Sequence, residues 1–164
     1  MGVSVRLVER RDADATRAIY NREVLESTVT FDMVERTRDE QLAWIDAHQG
    51  AHAATVLVDE EDAVLGFASL SPYRSRPAYA TTVEDSVYVH RDHRGRGYGQ
   101  RLLEDLVNRA GRHGFHCVIA RIVGGHAASI ALHDRCRFEY AGTEREVGRK
   151  LNRWLDVVLM QRML

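Results

Sequence analysis

Arg94-Gly95-Arg96-Gly97-Tyr98-Gly99 places glycine at alternate positions, directly after an extended apolar segment and directly before an amphipathic helix pattern. Glycines at such a junction let the chain turn tightly and leave backbone N–H groups unpaired at the positive end of a helix dipole, where an anion can sit. Phosphate is the natural guest. The stretch lacks the Gly-Lys-Ser/Thr ending of a Walker loop and the Gly-x-Gly-x-x-Gly spacing of a dinucleotide fold, so the residues point to another phosphate-bearing cofactor, with a merely tight strand-to-helix turn as the alternative. Two further groups carry chemistry. Glu84 opens the strand pattern ahead of the glycines, either as a solvated strand-end carboxylate or as a base. His133 follows Ser129 by four residues and so shares its face of a short helix, with a ring able to donate or accept a proton near neutrality. Cys117 and Cys136, the only two cysteines, are too few for a disulfide framework or a thiolate metal site and read as packed thiols; the eight histidines show no ligand spacing for a metal.

The elements that must hold these groups follow from hydrophobic period and punctuation. Residues 5–8 form a short strand, and Asp12 or Asp14 caps a helix with Ala15, Ala18 and Ile19 on its apolar side. Thr37-x-x-Glu40 is a capping box ahead of a second helix carrying Leu42 and Ile45. Residues 54–58 and 64–71 form a hairpin across Asp59-Glu60-Glu61-Asp62. Residues 71–81, with Pro72, Pro77, Tyr73, Arg74, Arg76 and Tyr79, read as a long active-site loop. Residues 82–90 form the next strand. The helix after the glycines repeats apolar groups at Tyr98, Leu102, Leu103, Leu106, Val107 and Ala110. Residues 116–123 form a strand covered on both faces, 127–134 a short helix, and 138–164 two long strands linked near residues 148–153. The order β-α-α-β-β-β-α-β-α-β-β is an α/β class chain with a mixed sheet and helices on its faces, in one domain spanning 1–164.

Composition narrows the partners. Lysine plus arginine number 23 against 24 acidic residues, which gives no whole-chain argument for nucleic acid or membrane binding. Lys150 is the only lysine, so almost every fixed positive charge is an arginine capable of bidentate contacts. The start lacks an apolar run long enough for a signal peptide or a membrane span, which reads as cytoplasmic.

This order, with the glycine loop, resembles the GCN5-related N-acetyltransferase (GNAT) superfamily. Four stretches resemble its phosphinothricin and methionine sulfoximine acetyltransferases: residues 82–89 (TVEDSVYV), the loop 94–99, Ser129-Ile130-Ala131-Leu132-His133-Asp134, and the tail Gly148-Arg149-Lys150 with Arg153-Trp154-Leu155-Asp156-Val157. The resemblance implies a mostly antiparallel central sheet splayed at the cofactor site. It implies acetyl-CoA as co-substrate, its pyrophosphate on Arg94, Gly95, Arg96, Gly97, Tyr98 and Gly99, and its pantetheine arm along Val87, Tyr88 and Val89. His126 stands where relatives place an asparagine, three residues before Ser129, and both are expected to touch the cofactor. Glu84 matches the general base, and His133 occupies the place of a tyrosine that protonates the leaving thiolate, so it is expected as a general acid or a structural hydrogen-bonding group.

The implied acceptor is the α-amine of a small amino acid such as phosphinothricin, methionine sulfoximine or methionine sulfone. Arg74, Arg76 and Tyr79 with Phe31 are its expected contacts, since arginine's planar fork suits a carboxylate. A homodimer is implied, with Lys150, Arg153 and Trp154 near the partner's site. A polyamine or protein N-terminus acetyltransferase, or a CoA-binding module without turnover, are the alternatives. Two departures stand out: His126, and Arg137 where relatives carry glycine. A required positive φ at residue 137 would strain the arginine by roughly 1 kcal/mol.

Overall fold

A computed structural model describes residues 2–164. The strands are β1 (Ser4–Leu7), β2 (Ala54–Val58), β3 (Val64–Pro72), β4 (Thr82–Val89), β5 (Cys117–Val123), β6 (Glu139–Lys150) and β7 (Arg153–Met163). The helices are α1 (Ala13–Glu26), α2 (Arg38–Ala47), α3 (Tyr98–Arg112) and α4 (Ala127–Arg135). The strands form one sheet in the order β1-β2-β3-β4-β5-β7-β6. Every neighbouring pair is antiparallel except β4 with β5. The expected order of elements and the mixed sheet flanked by helices are what the structure shows.

Local chemistry explains most boundaries. The Thr37 hydroxyl accepts from the Glu40 N–H at 3.2 Å while the Glu40 carboxylate accepts from the Thr37 N–H at 2.7 Å, closing the expected capping box at the start of α2. In the β2–β3 turn Asp59 Oδ1 accepts from the N–H groups of Glu61 and Ala63, and Asp62 takes φ 65°. The β6–β7 turn bends through Leu151 and Asn152, both left-handed at φ 49° and 59°.

Two apolar layers sandwich the sheet. On one face Leu102, Leu103, Leu106, Val107 and Ala110 of α3 pack onto Leu70, Val83, Val118 and Ala120, as the helix period requires. On the other, Ile19, Tyr20 and Val24 of α1 and Ile45 of α2 cover Val56 and Phe67. The stripe on α1 differs from the sequence expectation. Ala18 is exposed and Ala15 half-buried, while Thr16 is fully buried, its hydroxyl donating to the Asp12 carbonyl at 2.8 Å. Satisfying that hydroxyl within the helix lets a polar residue occupy an apolar position.

Candidate active site

The sheet opens where β4 leaves β5. Their pairing runs only from Thr82 opposite Cys117 to Glu84 opposite Ile119, although β5 continues on β7 as far as Val123. Beyond Glu84 the β4 edge facing β5 therefore has no strand partner, and Val87, Tyr88 and Val89 lie along that open edge. A cleft of about 870 Å³ fills the gap and reaches both faces of the sheet.

The glycine loop closes one end of this cleft. Gly95 and Gly97 sit at φ 74° and 79°, the left-handed region that L side chains resist, and Gly97 is the N-terminal cap of α3 with no side-chain cap bond. Among the described residues, no protein acceptor meets the N–H groups from Gly95 to Gln100, and Arg101 is the first to bond back into the helix, through the Gly97 carbonyl. These donors, with the open β4 edge and a cleft of this volume, fit a long phosphate-bearing co-substrate.

The two loop arginines are placed differently. Arg94 lines the cleft but is tied at 2.8 Å to Glu23, a buried carboxylate that also receives Arg91 at 2.9 Å. Burial pushes Glu23 up, but its hydrogen bonds from Arg91 and Ser27 and the charge of Arg94 leave it below the usual range. Arg94 thus reaches the cleft already half neutralised. Arg96 is exposed and outside the cleft lining. His126 caps the start of α4 without a side-chain bond and lines the cleft beside Ser129. Burial and the charge of Arg94 hold its imidazole pKa down.

Strand alternation builds the opposite wall. Glu84, Ser86 and Tyr88 lie directly across from Ser71, Ser69 and Phe67, so these six side chains share the face covered by α1 and α2. Tyr88 stacks on Phe67 at 5.2 Å, and Tyr20 meets Tyr88 edge-on at 5.4 Å. Its backbone thus belongs to the open edge and its ring to this wall. Burial raises the pKa of Glu84, and neighbouring Asp85 adds to the rise while Arg121 on β5 opposes it. A carboxylate at the fork with raised basicity is suited to take a proton from an amine.

Asp85 points to the other face, where its Oδ2 lies 2.9 Å from His133 Nε2. His133 Nδ1 lies 2.8 Å from the Ser129 carbonyl. Both partners are acceptors, so the ring satisfies both by carrying two protons. Burial alone would lower its pKa, but the charge of Asp85 and these hydrogen bonds raise it. The residue expected as a general acid or a structural group is thus a buried ring with both nitrogens engaged and its pKa raised, pinning α4 to β4.

The loop expected to bind substrate meets the cleft only at its first residue, Ser71. Arg74, Arg76 and Tyr79 do not line the cleft; Arg74 rests over the rings of Tyr73 and Tyr79, 4.9 and 5.4 Å from their centroids. Phe31 does line it, its ring packed against Gly148 in the space a Cβ there would occupy. Arg36 enters this wall beside the aromatic rings, over Tyr20 at 3.9 Å with Trp44 next to it, while Arg121 lines it from β5. Neither thiol is poised for nucleophilic work. Both are buried and unpaired, and burial pushes Cys136 up to about 11.

Comparison with known proteins gives the same reading. The family model described as the acetyltransferase (GNAT) domain matches residues 5–159. The chain is 40% identical over 163 residues to the L-methionine sulfoximine/L-methionine sulfone acetyltransferase of Pseudomonas aeruginosa, covering 98% of this chain and 94% of that protein. It is 39% identical over 165 residues to the phosphinothricin N-acetyltransferase of Streptomyces coelicolor, covering 99% and 96%. A GNAT superfamily phosphinothricin acetyltransferase from Sinorhizobium meliloti, solved in complex with acetyl-CoA, superposes with a TM-score of 0.95 at 37% identity, covering 100% of this chain and 89% of that one. With the orphaned loop donors, the opened β4 edge and a basic carboxylate at their junction, the chain belongs to the GNAT family and is an acetyl-CoA-dependent acetyltransferase.

Proposed function

We propose that this enzyme moves the acetyl group of acetyl-CoA directly to the α-amine of a small amino acid bearing an oxidised sulfur or phosphorus group, with Glu84 as general base. The observation that carries this reading is the place of Glu84: the last residue of β4 paired to β5, with its side chain on the aromatic wall. The glycine-loop donors take the pyrophosphate, and the free edge of Val87 to Val89 takes the pantetheine amides as an added strand would.

Glu84 removes one proton from the acceptor ammonium. The freed amine attacks the thioester carbonyl carbon, the carbon–sulfur bond breaks, the second proton released from nitrogen goes to the departing sulfur, and Glu84 returns its own proton to solvent. No acyl-enzyme is needed, consistent with two buried, unactivated thiols. His133 holds α4, and with it His126 and Ser129, against β4. The acceptor wall carries both signs, Arg36 and Arg121 against Asp32 and Glu84, which suits a zwitterion better than a polyamine. Arg74 and Arg76 continue from the strand end where Ser71 faces Glu84, so they remain candidates for the acceptor's carboxylate. The active form is a homodimer in this reading.

The test is release of free CoA in steady state with acetyl-CoA and a panel of methionine sulfone, methionine sulfoximine, phosphinothricin and spermidine. Turnover of the amino acids with spermidine inert is expected. Turnover of spermidine alone would overturn the substrate assignment.

A further inference from the structure

The guanidinium of Arg36 is held in place from behind and left open in front. Buried Asn21 clamps the Arg36 backbone from both sides, accepting its N–H at 2.9 Å and donating to its carbonyl at 3.0 Å. Arg36 Nη1 donates to Gln41 Oε1 at 3.2 Å, and fully buried Gln41 is itself fixed by the Thr16 hydroxyl at 3.0 Å. The face of the guanidinium lies on Tyr20, with Trp44 beyond it. Of the five donors of an arginine, Gln41 uses one. Among the described residues Arg36 makes no ion pair, although Asp32, held by the Tyr20 hydroxyl, lines the same cleft. A pre-positioned, unpaired guanidinium between aromatic rings is a receptor for oxygen acceptors.

Its distance along the wall says which oxygens. Arg36 rests on Tyr20, which packs on Tyr88, whereas the base is Glu84, four residues back on the same strand. Four residues of strand span about 13 Å between Cα atoms. The α-carboxylate of an amino acid shares a carbon with its amine, about 2.5 Å away by bond geometry, and cannot reach the Tyr88 end while the amine stands at Glu84. An oxygen on the side-chain sulfur or phosphorus stands about 6 Å from the amine, and a hydrogen bond of about 3 Å at each end brings the span close to that separation.

We propose that Arg36 is the specificity-determining residue of the acceptor site: it receives the oxygen atoms on the sulfur or phosphorus of the acceptor's side chain, while Trp44, Phe67 and Tyr88 pack its methylenes. This deepens the amine-acetylation reading and rests on it. Methionine and methionine sulfone differ only in the two sulfur-bound oxygens, so they are the discriminating pair. The wild type should prefer the sulfone in kcat/KM, and Arg36→Met should lower the sulfone-to-methionine ratio at least about tenfold, with Arg36→Lys between them because it keeps the charge and loses the fork. Acetyl-CoA affinity, measured alongside, verifies that each variant is folded. A ratio that stays constant while both substrates slow together would overturn the proposal and make Arg36 a structural residue. Calorimetric titration with methanesulfonate gives a second readout independent of turnover. Saturable binding to the wild type, lost in Arg36→Met, supports the subsite even if neither amino acid is acetylated, which would sink the acceptor reading alone; no binding to the wild type counts against the subsite.

Discussion

Glu84 owes its basicity to the point at which β4 parts from β5. Burial raises its pKa, Asp85 adds to the rise, and Arg121 only partly offsets it. A base must be deprotonated to act, so kcat/KM should climb with pH through a value above the ordinary 4.5 of a glutamate. Glu84→Gln should reduce kcat by about 10²- to 10⁴-fold and abolish that limb, while equilibrium titration shows acetyl-CoA affinity retained; an intact limb in the variant would remove Glu84 from the role. Across the strand, the charge and hydrogen bond of Asp85 favour the protonated form of His133 against the effect of burial. The folded pKa of His133 is raised above the ordinary 6.5, so its contribution to stability is complete below that value and is lost as pH rises through the raised one. In Asp85→Asn the His133 ring should titrate at lower pH by NMR, and stability should be lost chiefly on the acid side; a ring titration identical to the wild type would break the assigned coupling. Sequence disclosed these residues unequally. Gly95 and Gly97 were legible because a left-handed turn makes its demand through residue type alone. Arg36 was not, because its role depends on Asn21 and Gln41, which a local pattern cannot join to it. Arg74 and Arg76 drew attention as arginines close to Glu84 in the chain, yet the cleft is lined from elsewhere.

Elements translate such local demands into placement, and the end of α4 shows one carried under strain. The Phe138 N–H bonds to the His133 carbonyl and the Arg137 N–H to the Asp134 carbonyl, both at 2.9 Å, the paired bonds of a Schellman cap. The Phe138 ring meets His133 edge-on at 5.0 Å, sealing the buried imidazole. Such a cap requires a left-handed residue between them, and Arg137 takes it at φ 64°. The strain foreseen from the missing glycine is therefore present. Arg137→Gly should remove about 1–2 kcal/mol of it and return part through the greater freedom of the unfolded chain, leaving a net gain of about 0.5–1 kcal/mol in denaturant unfolding. At the start of α3 the requirement runs the other way. A Cβ at Gly97 would meet nothing within 4 Å, so the cost of a side chain there is conformational rather than steric. Gly97→Val should tilt the loop donors away from the phosphate position and weaken acetyl-CoA binding at least about tenfold, before any effect on the acceptor's KM. A wild-type Kd would contradict the phosphate role. Helix and strand order were readable because each element has a strong period or a cap. The opening between β4 and β5 was not, since it is a property of pairing rather than of either strand alone.

At the scale of the whole molecule, the β6–β7 hairpin joins the wall proposed for the acceptor to the surface. Lys150, the only lysine, is buried at its tip and donates to the Thr30 carbonyl at 2.8 Å, while Gly148 admits the Phe31 ring. The segment that carries Phe31 and Asp32 into the cleft is thus fastened to this hairpin. On its outer side Trp154 is 62% exposed with Arg149 over its ring at 4.6 Å, and Val147 and Leu151 of the same hairpin are exposed as well. Apolar groups gathered in this way at a hairpin end are expensive to leave in water and suit contact with a second copy, for which a stable interface needs about 800 Å² from each partner. Sedimentation of the wild type should give the mass of a dimer, and Trp154→Glu, which sets a charge in the middle of the patch, should shift it toward the monomer at micromolar concentration. Because the same hairpin buttresses Phe31, dissociation should raise the KM of the amine acceptor by severalfold while acetyl-CoA, which is proposed to sit at the glycine-loop end, keeps its affinity. A monomeric wild type, or a variant that dissociates with both constants moving together, would separate this surface from the acceptor site and leave the hairpin a purely internal support.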